Sequence, residues 1–356
     1  MRKLATIRAI DNIVPIEGAT AIETAVIGGW TVVVKKDQYK TGDKICYVEI
    51  DAWVPSKVAP FLSKDKEPKE YEGIKGERLK TIRLRGQLSQ GLVLSLDDCG
   101  IFQESVTTWK ITTVDGNQYY IDPNSDDDIS QHLGIIKYEP PIPSSLMGKI
   151  KGTFPSCGRK TDEERCQNLK TRIEQAYDTD EVFEVSIKMD GSSMSVLKDF
   201  KETVHVCSRN YSIDLDNQGN KFVDVAVKYD LINKFRDLEN IQISGELVGE
   251  GIQKNKDNLK GQDFFVYSIY DMKKGLFVSP DVRYNIVEQL GLKHVPVIHQ
   301  KVTLRELGLD CLQKIIDFAD GKGYNCDVRE GVVFKSWSED FSFKSISNKF
   351  LEKYNE

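Results

Sequence analysis

Apolar and polar residues alternate with a period of two through much of the first 140 positions. Leu4–Ile10, Glu23–Ile27, Trp30–Val34, Lys44–Ile50, Leu79–Leu84 and Gly91–Leu96 are short runs bounded by Gly, Pro, Asp or Lys clusters. This is the pattern of half-buried strands. Gly28-Gly29 and Thr41-Gly42-Asp43 read as hairpin turns between such runs. Strands this short and regular predict a small barrel or sandwich, and an OB-type barrel fits the size. Asp122–Asp128 reads as a solvated acidic loop.

The alternation stops near 140. Tyr138–Ser145 carries prolines at 140, 141 and 143, which neither a helix nor a central strand accepts. With Gly148, Gly152 and Pro155 following, residues 141–155 are expected to form a stiff linker between a β-rich module of 1–140 and a second domain of 156–356. In that domain the two periods are mixed. Thr161-Asp162-Glu163-Glu164 has the form of a capping box, with Leu169, Ile173 and Ala176 after it at helical spacing. Val223–Phe235, Arg283–Gly291 and Leu304–Gly321 also read as helices. Strands are expected over Glu181–Ile187, His205–Asn210, Ile241–Val248, Asp263–Tyr270, Glu330–Lys335 and Phe341–Ile346, with Phe265, Tyr267 and Ile269 sharing one face. The predicted class is therefore α+β: an OB-like β-barrel, then a domain of antiparallel sheets with flanking helices.

Charge narrows the possible partners. The formal net charge is −6, so no global basic field draws the chain to nucleic acid, and such contacts must come from local patches. One candidate is Arg78–Arg85, where Arg78, Lys80, Arg83 and Arg85 accompany the single acid Glu77. Arg83 and Arg85 fall on one face of an extended chain, either to track phosphates or to blunt a strand edge. The seven cysteines form no Cys-x-x-Cys pair and do not cluster with the four histidines, which argues against a zinc site and for reduced thiols. No signal-peptide core or membrane-length apolar run is evident, so an intracellular, cytoplasmic location and no membrane partner are expected.

Candidate chemistry centres on Lys188-Met189-Asp190-Gly191, at the end of a predicted strand. A strand-end lysine at a sheet rim can act as a nucleophile once its pKa is lowered. Asp190 projects to the same side and can hold a metal ion, while Gly191 permits a turn or a close backbone approach. Alone, the tetrapeptide is a weak signal and reads more readily as a hairpin with an Asp-Gly turn and a solvated lysine. The joint pattern carries more: Lys188, Arg209, Glu246, Tyr267, Glu330 and Lys344 all fall on or just beyond predicted strands of one domain.

That order resembles the covalent nucleotidyltransferases, the polynucleotide ligases and capping enzymes. Lys188–Gly191 is similar to their Lys-x-Asp-Gly motif, and Ser208-Arg209-Asn210 to the arginine motif that follows. Gly245-Glu246-Leu247, 58 residues after Lys188, resembles motif III. Phe264-Phe265-Val266-Tyr267 resembles motif IIIa, with Tyr267 at the usual Phe position. Glu330-Gly331-Val332-Val333 resembles motif IV, and Phe343-Lys344 motif V. The sequence ends seven residues past Lys349, with no OB domain after motif V, and the β-rich module lies in front. With Lys160–Arg165 and Phe343–Lys349, this arrangement resembles the ATP-dependent RNA ligases of the fifth family. One departure is Ile346, where many RNA ligases carry a second motif V lysine; Lys349 is the nearest replacement.

The resemblance implies three steps. Lys188 attacks the α-phosphate of ATP and releases pyrophosphate, its AMP passes to an RNA 5′-phosphate, and a 3′-hydroxyl then displaces the AMP. It implies Lys344 as the partner stabilising phosphate charge. Asp190, Glu246 and Glu330 would hold Mg²⁺ or Mn²⁺, Tyr267 would stack on adenine, and Arg209 would contact ribose or the RNA end. The cofactor-binding set is then Lys188, Arg209, Glu246, Tyr267, Glu330 and Lys344. Arg83, Arg85, Arg209 and Lys349 are the candidate contacts to RNA, a nicked duplex with 3′-OH and 5′-phosphate ends. A capping guanylyltransferase or DNA ligase is the nearest alternative, and a non-catalytic OB-containing RNA-binding protein the alternative of another class.

Overall fold

The computed structural model describes residues 3–64, 66–105, 108–125, 127–139, 150–216, 219–338 and 340–354. The chain divides into two compact units, Met1–Pro141 and Ile142–Tyr354. Among the described residues no helix is long and apolar enough to cross a membrane. All seven cysteines are free thiols.

In the first unit the strand Lys44–Val48 is buried on both faces, because its alternate residues serve different cores. Ile45 and Tyr47 pack with Trp30, Val32 and Val34. Cys46 and Val48 pack with Val54, Leu94, Ile101 and Ile111. Gly28-Gly29 closes the expected two-residue hairpin, with Ile27 opposite Trp30. Thr41-Gly42-Asp43 makes a turn but no hairpin, since Lys44–Val48 pairs with Ala5–Ala9 and Leu92–Leu94 instead. Leu79–Leu84 is not one strand. Ile74–Arg78 pairs in one sheet, and Ile82–Leu84 forms a separate hairpin with Gln87–Ser89. Its two-residue turn, Arg85-Gly86, needs positive φ at both positions, and Arg85 (51°) and Gly86 (80°) supply it. Arg85 therefore leaves the strand and does not share a face with Arg83.

The second unit holds two mostly antiparallel sheets. In one, Val182–Lys188 lies between Gly331–Ser336 and Val297–Thr303. In the other, Ser192–Lys198 lies between Val204–Cys207 and Ile241–Gly249, which in turn pairs with Gln262–Asp271. Each sheet packs one face on helices, because period-two alternation puts its apolar residues there. Phe183, Val185, Val332, Phe334 and Phe343 meet Ile173, Ala176, Ile315 and Ile316. Met194, Val196, Ile243, Leu247 and Phe264 meet Phe222, Val225, Leu231 and Phe235. A smaller cluster of Met189, Val248, Phe265 and Val295 joins the two sheets.

Several expected elements differ, each for a local reason. Ile150–Thr153, assigned to the linker, is a strand paired with Tyr211–Ile213, while linker residues 141–149 lie outside the described residues. Thr161–Glu164 caps no helix. Thr161, Asp162 and Glu163 are engaged with distant partners, Glu164 bonds locally to Arg165 and Asn168, and the helix starts later, over Lys170–Asp178, with no side-chain cap at Leu169. Val223–Phe235 is two helices, Lys221–Lys228 and Leu231–Asp237, separated where Asp230 turns left-handed at φ 53°. Leu304–Gly321 is helical only over Leu312–Phe318. Glu306 folds back onto the Thr303 amide and hydroxyl, and Gly308 turns left-handed, which closes a turn in place of a helix.

Glu184, 1% exposed, accepts two hydrogen bonds of 2.6 Å from the Arg283 guanidinium and one from the Tyr284 hydroxyl. The Arg283 Nε–H donates to His294 Nε2 at 2.8 Å, while His294 Nδ1–H donates to the Val295 carbonyl. Burial, then the facing Arg283 charge, push the His294 pKa down to about 4, so the ring is neutral and accepts. This cluster fastens the sheet bearing Lys188 to the helix Pro280–Gln289. Arg283→Met leaves Glu184 buried and uncompensated, so urea unfolding should show a loss of about 3–5 kcal/mol. Arg283→Met/Glu184→Leu should recover much of it, whereas equal losses in both variants would contradict this role.

Candidate active site

Lys188 ends its strand opposite Gly331. The next strand, starting at Ser192, belongs to the other sheet. Met189-Asp190-Gly191 is thus a crossover between sheets and not a hairpin, which excludes the plain reading of Asp-Gly as a β-turn. Gly191 is required by close approach: a Cβ there would lie 2.3 Å from the Leu247 carbonyl oxygen and 3.0 Å from Glu246 Cγ.

This crossover gathers acids around one ammonium. Lys188 Nζ donates to Glu330 Oε1 at 2.6 Å. Burial alone would lower the Lys188 pKa, but the charges of Glu330, Glu246 and Asp190 outweigh it and hold the group above its ordinary value. Glu246 lies opposite Ser193, and burial pushes its pKa up to about 8, with Lys188 opposing and Glu330 and Asp190 adding to the rise. The ligand-free lysine is therefore protonated and paired with the Glu330 carboxylate, beside a Glu246 carboxyl that burial tends to keep neutral. Among the described residues no three Asp, Glu, His or Cys side chains form a ready-made metal cage. Glu330 Oε2 is nevertheless buried with no hydrogen-bond partner, an acceptor that suits a water-bearing cation.

Tyr267 owes its position to a β-bulge. Ser244 pairs with Ser268 and Gly245 with Val266, so Tyr267 is the extra residue. The bulge reverses the alternation. Phe265 and Tyr267 fall in the cluster between the sheets, whereas Ile269 packs toward the helices, so the three do not share a face. The Tyr267 hydroxyl is hydrogen-bonded to Thr161 Oγ1 (2.8 Å) and Ser193 Oγ (3.1 Å). Lys335 Nζ donates to the Tyr267 carbonyl and to Ser268 Oγ, pinning the bulge from below. Burial lowers the Lys335 pKa to about 8 despite the Glu163 charge.

Lys344 and Arg209 converge on one acid the sequence reading passed over. Asp162 accepts from Lys344 Nζ at 2.8 Å and from Arg209 at 2.5 Å. A cleft of about 450 Å³ opens beside them, lined by Lys160, Asp162, Glu163, Ser268 and Lys335 among others. The signal was present: Thr161, Asp162 and Glu163 all come from the supposed capping box. Ile346 is buried and shares the alternating register of Lys344, so the second lysine position is apolar. Lys349, 70% exposed, pairs with Asp320 on the helix Asn348–Tyr354. Arg83 lies in the exposed hairpin, its guanidinium bonded to the Gly86 carbonyl.

A lysine buried among acids at the crossover between two sheets, with the Tyr267 ring in the cluster that joins those sheets, is the geometry of a covalent nucleotidyltransferase. The comparisons narrow the class. An OB-fold domain profile matches residues 4–96 and an RNA ligase profile residues 181–349. No curated protein matches. Among solved structures, Naegleria gruberi RNA ligase with pyrophosphate is 40% identical, with a TM-score of 0.83, over 100% of this chain and 99% of that one. A lysine variant of the same enzyme with ATP and manganese is 40% identical (TM-score 0.83) over 99% of both chains. A glutamate variant with AMP and manganese matches likewise, with a TM-score of 0.84. The chain belongs to the ATP-dependent RNA ligases of the fifth family, with an N-terminal OB fold and a C-terminal ligase domain.

Gly191 offers a direct check on the crossover. Gly191→Ala drives a methyl group into the Leu247 carbonyl and displaces Glu246, so a cost of about 1–3 kcal/mol is expected. Urea titration should show it together with slowed lysyl-AMP formation, and unchanged values in both would contradict the close approach.

Proposed function

We propose that Lys188 is the nucleophile that takes AMP from ATP, and that the enzyme seals 3′-OH/5′-phosphate nicks in duplex RNA. The observation that carries the first part is the Lys188–Glu330 contact within the Asp190–Glu246–Glu330 cluster. ATP and manganese in the Naegleria enzyme support the same co-substrate and a divalent cation here. Asp190, Glu246 and Glu330 would hold that cation, largely through its water. When bound, it would supply positive charge beside the α-phosphate and offset the carboxylates that keep Lys188 protonated.

The chain's own groups do the rest. Lys188 Nζ, once deprotonated, attacks the α-phosphorus, and the bond to the leaving pyrophosphate breaks. Lys344 turns from Asp162 to the α-phosphate, where its ammonium stabilises the charge that builds in the transition state. Arg209, released from the same acid, contacts ribose or the incoming RNA end. Tyr267, held by Thr161 and Ser193, presents its ring to adenine. The cofactor-binding set is thus Lys188, Arg209, Glu246, Tyr267, Glu330 and Lys344. Residues 1–140 would grip RNA, and the second unit, whose sheet already includes Ile150–Thr153, would carry the nucleotide chemistry, with Arg83, Arg85 and Lys349 as further phosphate contacts. Free thiols at all seven cysteines support a reducing, cytoplasmic location.

Lys188→Ala should abolish the protein–AMP adduct yet keep some sealing of RNA already carrying a 5′-adenylate, because only the first two steps need the lysine. A normal adduct in that variant would refute the assignment. Arg83→Ala/Arg85→Ala should leave adduct formation at the parent rate but weaken nick sealing. Its RNA affinity should depend less steeply on salt, since fewer counterions are released. Parent-level sealing with an unchanged salt slope would rule out RNA contact by this hairpin.

A further inference from the structure

We infer that Lys256 is a positioning residue for Asp190, and that the C-terminal helix Asn348–Tyr354 acts on the active site through it. The inference rests on the proposed role of Asp190 and concerns what holds that carboxylate in place.

Lys256 lies in the connection between the strand bearing Glu246 and the strand bearing Tyr267. That connection is a run of tight turns with positive φ at Gln253 (44°), Asn255 (44°) and Asn258 (49°). It is fastened internally, since the Asn255 side chain bonds both the amide and the carbonyl of Leu259. Next to Lys256, Asp257 accepts from the Asn325 amide and the Cys326 thiol. Lys256 is therefore anchored on both sides within a rigid loop, and only 8% of it is exposed.

Burying an ammonium is costly unless charge and polarizable surface repay it. Two sources do so here. Lys256 Nζ lies 3.0 Å from Asp190 Oδ2. It also lies 4.3 Å from the Phe350 ring centroid and 4.6 Å from that of Tyr354. The C-terminal helix thus supplies two aromatic faces to a cation, and the cation meets the acid two residues beyond Lys188. The consequence is geometric. With the Lys256 charge beside one oxygen, the Asp190 carboxylate is biased toward one orientation beside Lys188, and the bias comes from a loop and a helix outside the motif strands.

A double-mutant cycle on the full chain tests this with Lys256→Met, Asp190→Asn and the pair. The first readout is the thermal midpoint of the ligand-free protein. The second is the rate of protein–AMP formation with manganese at saturating and limiting ATP. Lys256→Met should slow adduct formation at saturating ATP by about tenfold or more while KM for ATP changes little, the signature of lost positioning. Lys256→Arg should restore part of the rate, and Tyr354→Leu should show a smaller loss of the same kind. In the Asp190→Asn background Lys256→Met should cost little more, in rate or in midpoint. Additive effects in both readouts, or a parent rate in Lys256→Met, would overturn the inference. If Lys256→Met does not fold, the Lys256→Arg and Tyr354→Leu pair decides by the same kcat-against-KM split, and a parent rate in both overturns it. A parent protein that forms no adduct would instead refute the assignment of Lys188, and the midpoint cycle would still decide whether Lys256 and Asp190 are coupled.

Discussion

The constraint on which the ligase domain depends is the burial of one ammonium among several carboxylates. Glu330, Glu246 and Asp190 cannot be brought together out of water unless something balances them; Lys188 does so at Glu330 (2.6 Å) and Lys256 at Asp190 (3.0 Å). The contact at Lys188 fixes the ligand-free state as a resting one. The lysine's proton is bonded to Glu330, and the charge gathered nearby keeps the group cationic.

The fold meets this constraint by using the two faces of each sheet differently. Apolar side chains go to the helices, and the residues alternating with them face the space between the sheets. Glu184, Lys188, Ser193 and Lys335 all arise from this alternation, each flanked in sequence by core residues such as Phe183, Val185, Met194 and Phe334. Two local devices complete the arrangement. The glycine at 191 lets the chain pass tightly against Leu247 when it leaves one sheet for the other. The bulge at Tyr267 sends Ile269 to the helices while Phe265 and Tyr267 keep to the space between the sheets. Both Lys335 and Thr161 then hold the Tyr267 ring, one through the backbone and one through the hydroxyl.

The strands were legible where period-two burial is a local property, as in Trp30–Lys35. The order of charged residues on those strands was enough to indicate the family. What stayed hidden depends on partners far along the chain. Thr161–Glu164 looks like a helix cap until Tyr267, Lys344 and Arg209 are placed beside it. The bulge at Tyr267 leaves no mark in the alternation of Gln262–Asp271, since it is the pairing with Ser244 and Gly245 that slips. Arg85 could not be separated from Arg83 without the two-residue turn that sets its φ. Lys256 carries no periodic or motif signal at all, and only the approach of Phe350 and Tyr354 makes it visible.

The central claim is that the lysine at the sheet crossover, and no other, becomes covalently bound to AMP. Intact-mass analysis after incubation with ATP and manganese, followed by peptide mapping under conditions that preserve a phosphoramidate, tests it directly. The account predicts one adenylate per chain, carried on Lys188 and lost on mild acid treatment. An adduct on Lys335, Lys344 or Lys256, or a chain that stays unmodified while RNA ends are joined, would contradict it.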